Sequence, residues 1–364
     1  MNKQLLIYLK NCAIILQNRK CGGVVVKIWD YIKSKKNKSN SNDFLTEQYA
    51  NIAASSISKI NGKDSPMNNI EGCHSKEFVR MSGDYFQDLY DELRNNPNCS
   101  YRSYMNDVIK SGYDPKHLSV LVKLVEEHIF GAYTEVLSSR IANFMGAPTV
   151  YNKCYTDEIG DNYVISVDFM KPEYRMVDII KLANDFYSEI THESAYAFDK
   201  DYVSWRSFFM GISQMFGGKL CGSDTNSTDF EDEFFKYYFT RMHILRDADF
   251  DLHNVGLLTN DKGRIELEPM YDTEFAFCND NIYTNRFLVK DMQKILKCQP
   301  LKLIACADRF KELMKKGNLK KLFEGIDNPK FKKKAINDLK NSFEAFEYNY
   351  YLANQYNKME ERSR

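Results

Sequence analysis

Asp249 is followed five residues later by Asn254, and Asp272 stands eighteen residues beyond that. A short apolar run, Val255 to Thr259, follows Asn254. A polar Asn260-Asp261-Lys262-Gly263 turn then leads into a second strand-like run that ends on Asp272. Transfer of a phosphoryl group from a nucleoside triphosphate asks for these residue types in this order. One carboxylate orients the accepting hydroxyl and takes its proton. An amide oxygen five residues on and a second carboxylate one hairpin later hold magnesium from two sides. Positioning and charge neutralisation then supply most of the rate. An Asp-x4-Asn pair alone is common. It gains weight from Val255-Gly256-Leu257-Leu258, the turn, and Pro269-Met270-Tyr271-Asp272. Among Asp247, Asp249 and Asp251, only Asp249 has the five-residue offset. The others read as solvated loop residues, with Asp251 on the substrate side, and His253 as a structural hydrogen-bonding residue.

These groups need elements to hold them. Residues 230–246 read as an aromatic-rich helix that delivers the chain to the loop. Upstream, Leu118, Val120 and Val122 alternate as in a strand that ends at Lys123. Residues 131–145 read as an amphipathic helix with Leu137, Ile141, Phe144 and Met145 on one face, stopped by Gly146 and Pro148. Thr149–Thr156 and Tyr163–Met170 read as a hairpin. Residues 77–93 carry helical signal, as do 176–190, 203–216 and most of 284–356. Strands with one helix first, then helices around a functional hairpin, predict an α+β, two-lobed fold: a small β-rich N-lobe (43–175) and a larger helical C-lobe (176–364). Residues 1–42 stand apart as a basic helical segment with an SKKNKSNSN linker.

The 364 residues are 43% hydrophobic and 27% charged, which is the composition of a folded soluble protein. Net charge is zero, so no specific nucleic-acid binding is expected. The nine cysteines are scattered with no CxxC, which speaks for a reducing compartment and against a disulfide framework or zinc site. No apolar run approaches the roughly 20 residues that span a bilayer. The opening residues carry no small-residue cleavage signature, so no signal peptide is expected. The first 40 residues hold nine Lys or Arg against one acid, Asp30. That segment reads as an accessory helical pair. It also suits weak contact with an anionic membrane surface.

The run RDADFDLHNVGLL…LEPMYDTEF resembles the HipA-like serine/threonine kinases, whose catalytic loop reads roughly D-x-H-x-x-N-x-G and whose metal-binding Asp lies in a P-x-Y-D segment. The likeness extends over most of residues 98–350 and is sharp over about 35 of them. It implies a protein-kinase-like fold, ATP and Mg²⁺ as cofactors, Asp249 as catalytic base, and Asn254 and Asp272 as metal ligands. It also implies a strand lysine on the α- and β-phosphates paired with a helix glutamate, which Lys123 and Glu135 would supply. One departure is plain: Asp251 stands where the family has His.

A nucleotide-covering loop is sought at Asn98–Ser103, with Gly72–Lys76 as the alternative. Ser100 and Ser103 are then cofactor-binding, and one of them is the expected site of autophosphorylation, with Arg102 as partner for its phosphate; ordinary loop hydroxyls are the alternative. Val167–Met170 resembles a hinge at which Phe169 would adjoin adenine; a Phe-Met pair there is equally good core filling. The expected partner is a protein with a Ser or Thr acceptor, and an antitoxin or a host protein besides, in the bacterial cytoplasm or after secretion into a host cell. The length leaves no room for the extra β-rich module of longer family members. A kinase-fold enzyme with a lipid or small-molecule acceptor, and a catalytically weak pseudokinase, are the alternatives.

Overall fold

The computed structural model describes residues 76–125, 130–157, 161–177, 201–215, 230–250, 254–260, 264–277 and 285–362. The basic segment 1–42, Gly72 to Ser75 of the alternative loop, Asp251 and His253 lie outside the described residues. The α+β, two-lobed plan expected from the sequence is the plan of the structure.

The N-terminal lobe is built on a four-stranded antiparallel sheet. Strand β1 (Lys76–Ser82) lies at one edge, then β3 (His117–Leu124), β6 (Asn162–Val167) and β5 (Asn152–Thr156). The alternation in β3 works as read: Leu118, Val120 and Val122 are all fully buried. Register sets Lys76 of β1 opposite Lys123 of β3. The short strand β2 (Tyr101–Arg102) runs parallel to β4 (Thr149–Val150), and Thr149 bridges to Met270 of the other lobe. Helix α3 (Gly131–Met145) packs on β5 and β6. It stops where Gly146 adopts φ +78°, the left-handed cap that glycine takes without strain. Among the described residues this lobe also carries α1 (Gln87–Asn95), α2 (Asn106–Lys110) and a 3-10 turn (Gly83–Phe86).

Two expectations are corrected. The helical reading of 77–93 holds from Gly83, where the 3-10 turn (Gly83–Phe86) runs into a helix at Gln87. Before it, Val79 and Met81 point inward while Arg80 and Ser82 do not, and the pairing with β3 makes the segment a strand. The helical reading of 176–190 is wrong at its start, where Tyr174–Val177 form a strand, β7, paired antiparallel with β8 (Leu257–Asn260), which in turn pairs with β9 (Ile265–Leu267); residues 178–190 lie outside the described residues.

The C-terminal lobe is helical: α4 (Tyr202–Met215), α5 (Phe230–Phe239) running into a π-helical turn (Thr240–Leu245), α6 (Asn285–Cys298), α7 (Pro300–Leu313), α8 (Lys316–Leu322) and α9 (Pro329–Arg362). At 34 residues, α9 is roughly 50 Å long, and it packs along α6 and the π-helical turn. Tyr202, Trp205, Phe209, Phe234 and Tyr238 interlock in stacked and edge-to-face pairs that form the aromatic heart of this lobe. No described helix is long and apolar enough to cross a membrane.

Candidate active site

The loop after the π-helical turn is held from beneath. Phe250 is fully buried and stacks on Trp205 with ring centroids 5.3 Å apart. The loop is therefore pinned to the aromatic core one residue past Asp249. Arg246 takes a left-handed backbone (φ +49°), which turns the chain sharply out of the helix.

Arg241 organises the residues beyond it. It is wholly buried and meets the equally buried Asp247 through Nε at 2.7 Å and Nη2 at 2.5 Å. Its Nη1 donates to the Asn254 carbonyl at 2.7 Å and to the Tyr237 hydroxyl at 3.1 Å. Nη2 lies 3.4 Å from the Asp272 carbonyl. Burial opposes the charge on Arg241, but Asp247 outweighs it and leaves the guanidinium pKa above its usual value. Asp247 in turn accepts the Asp249 N–H through Oδ1 at 3.1 Å. One planar cation thus fixes the backbone at all three positions singled out in the sequence. Neither Arg241 nor Asp247 was identified there as a site residue. The available signal was an arginine inside the apolar run FKYYFTRMHIL.

Asn254 and Asp249 are joined side chain to side chain. Nδ2 of Asn254 donates to the Asp249 carbonyl and to Asp249 Oδ2, each at 2.7 Å. Both acceptors are oxygens, which fixes the amide orientation and leaves Oδ1 as the end able to ligate a cation.

Across the lobes, Lys123 of β3 is 4% exposed and meets three carboxylates. Nζ lies 2.8 Å from Glu135 Oε1 on α3, 2.5 Å from Asp272 Oδ1 and 3.2 Å from Glu274 Oε2. Burial would drive the ammonium to give up its proton. Glu135, Asp272 and Glu274 together overcome that and raise its pKa. Burial likewise favours protonation of Asp272, but Lys123, then Lys76 and Arg241, outweigh it and hold its carboxyl below the ordinary value. Glu135, fully enclosed, is pushed up by burial despite Lys123. Asp272 presents its carboxylate from a left-handed backbone (φ +54°), a conformation that costs a non-glycine residue energy and that the surrounding contacts must hold.

Oxygen ligands for a hard divalent ion are present here. Carboxylate oxygens of Glu135, Asp272 and Glu274 fall within 4.8 Å of one another, and such oxygens suit magnesium.

The structure brings Lys123, Glu135 and Asp272 into contact, and separately joins Asp249 to Asn254. It places Ser100 and Ser103 elsewhere. Both are buried, not carried on an exposed covering loop. The Ser100 N–H donates to Asn143 Oδ1 on α3, and its carbonyl accepts from Thr149. The Ser103 hydroxyl accepts from the Met105 N–H. The physical cause is the β2–β4 pairing, which draws this segment beneath the sheet. Arg102, expected beside a phosphate, pairs with Glu233 of α5 at 2.9 Å. Phe169 stacks on Tyr271 at 6.0 Å and lines a cavity of about 70 Å³ with Arg102 and Ser103.

Beneath the Asn254 strand, Gly256 is required. A Cβ there would stand 1.6 Å from Glu268 Oε2. Glu268 is buried and accepts from the Tyr271 hydroxyl at 3.3 Å, and burial pushes its carboxyl up to about 8. An acid whose folded pKa exceeds its unfolded value keeps its proton in the native state while the unfolded chain ionises. The native state is therefore penalised as pH rises from 4.5 to about 8. Glu268→Gln removes that dependence. Thermal melts should show the variant gaining on the parent as pH rises through this window, by an amount on the order of a few kcal/mol at its top. Parallel pH profiles for the two proteins would show that Glu268 is charged in the fold.

No family model matches the chain, and no curated protein matches it. Solved structures similar to it include the Helicobacter pylori proinflammatory kinase CtkA, at 14% identity and a TM-score of 0.43, over 66% of this chain and 92% of that one. Another is the Shewanella oneidensis MR-1 toxin–antitoxin assembly of HipA, HipB and operator DNA. There the identity is 10% and the TM-score 0.35, over 65% of this chain and 64% of that one.

Proposed function

We propose that this chain is a Mg²⁺- and ATP-dependent phosphotransferase that acts on a serine or threonine hydroxyl of a protein. The observation that carries the reading is the contact of Lys123 with both Glu135 and Asp272 across the two lobes, beside an Asp249–Asn254 pair held by Arg241. A structural core has no use for so many buried charges. A site that neutralises a triphosphate does. The serine or threonine acceptor rests on the likeness of residues 246–275 to the HipA-like kinases.

In this reading Asp249 Oδ atoms accept the proton of the acceptor hydroxyl. The hydroxyl oxygen bonds to the γ-phosphorus as the bond to the β–γ bridging oxygen breaks, and ADP carries away that electron pair. Lys123 contacts the phosphates, and Glu135 holds Lys123 in place. Asn254 Oδ1 and the Asp272 carboxylate are the ligands for magnesium, which when bound neutralises phosphate charge. Arg241 keeps both ligand backbones in register.

Transfer of label from γ-labelled ATP to protein, set beside transfer to lipid vesicles, tests the reading. Label on protein supports it. Label on lipid moves the acceptor class, and no transfer with retained nucleotide binding marks a pseudokinase. Lys123→Ala should lower turnover about 10²–10³-fold. Lys116→Ala and Lys110→Ala should leave it within about twofold, the usual reach of a surface change. A sensitive Lys116, which is exposed, would overturn the role of Lys123.

A further inference from the structure

Lys123 holds one more carboxylate than phosphate binding needs. Glu135 keeps it in position and Asp272 is the ligand for the cation, but Glu274 has no part in that scheme. Its carboxylate nonetheless lies 3.2 Å from Nζ, and its side chain is only 4% exposed. The contact is a close ion pair, added to the hydrogen bonds that Lys123 gives Glu135 and Asp272. An ammonium has three protons to give, and three carboxylates already surround this one.

The placement of Glu274 follows from the backbone. The Ala276 N–H closes a turn onto the Thr273 carbonyl at 3.1 Å. The Phe277 N–H ties the end of that turn to the Leu245 carbonyl at 2.8 Å. Phe277 itself sits at φ +61°, which folds the segment back. The turn is thus anchored on the same π-helical segment that carries Arg241, and it brings Glu274 to Lys123.

We propose that Glu274 occupies, within the nucleotide-free chain, the place on Lys123 that the α- and β-phosphates take, so that it is an internal competitor which weakens ATP binding. The inference rests on the phosphotransferase reading above. A carboxylate is a poor substitute for a di- or triphosphate but is always present. ATP must therefore displace an existing ion pair instead of meeting an unoccupied lysine. The chemistry is specific to the phosphates: adenosine does not need Lys123 and should not sense Glu274.

The test is equilibrium binding of ATP and of adenosine to the full chain in EDTA, so that metal ligation plays no part. Glu274→Gln keeps the shape and removes the charge. ATP should then bind about tenfold more tightly, the scale of one charge-assisted hydrogen bond, while adenosine binding stays unchanged. In a Lys123→Ala background the same substitution should produce no gain. Glu274→Asp withdraws the carboxylate by one methylene and should give an intermediate gain if Glu274→Gln does not fold. Unchanged or weaker ATP binding overturns the proposal. So does a gain that persists without Lys123, which would be a general field effect, or an equal gain for adenosine, which would be a repacked pocket. Binding of ATP by none of these proteins, either in EDTA or with Mg²⁺ restored, would instead overturn the phosphotransferase reading, and the competitor role with it.

Discussion

Asp249→Asn should lower phosphoryl transfer about 10²–10⁴-fold, the usual contribution of a positioned general base, and should leave ATP affinity within about twofold, because in the proposed mechanism the base acts on the acceptor. The geometry makes this a clean substitution. The Asp249 N–H bond to Asp247 and the Asn254 bond to the Asp249 carbonyl use backbone atoms and survive it. The 2.7 Å contact from Asn254 Nδ2 to Asp249 Oδ2 is altered, and an Asn Oδ1 can still accept it. Single-turnover transfer from γ-labelled ATP, measured with a parallel binding titration, decides the matter. Transfer at the parent's rate would remove Asp249 from the mechanism. Lost binding with lost transfer would show that the substitution had disturbed the loop.

Arg241→Ala should destabilise the protein by about 3–5 kcal/mol, because it leaves Asp247 charged and fully enclosed without its partner. For a folded unit of this size that corresponds to a melting-point loss on the order of 10 °C. Adding Asp247→Ala should recover part of the loss, since the stranded charge disappears with it. Activity should not return in the double variant, because the Asn254 and Asp272 carbonyls still lack the guanidinium that holds them. Thermal melts of the two variants and the parent give the cycle. A double variant no more stable than Arg241→Ala would mean that the carbonyl contacts, and not the ion pair, carry the energy.

What the sequence determined by itself was local. The two-residue alternation of Leu118, Val120 and Val122 placed Lys123 on a strand, because a pleated backbone sends alternate side chains to one face whatever surrounds it. The Gly146 stop of α3 was readable for a similar reason: a left-handed cap is a property of one residue. The offset from Asp249 to Asn254 was readable because both stand on one short loop, and their mutual hydrogen bonds need only that loop to close.

Tertiary structure decided the rest. Lys123 and Asp272 meet across a separation of 149 residues, and no periodicity reports a contact between two lobes. Ser100 and Ser103 stand in a segment polar enough to read as a loop, yet both are buried. That burial comes from pairing with Thr149 and Val150, far along the chain. In the sequence Asp247 was one acid among three, and Arg241 was not singled out. Only enclosure on every side, which removes water as a competing partner, makes them a pair on which the catalytic loop depends. Glu274 was invisible for the same reason. Its significance is a distance to Lys123, and that distance is set by a turn tied to Leu245 and not by anything adjacent to it in sequence.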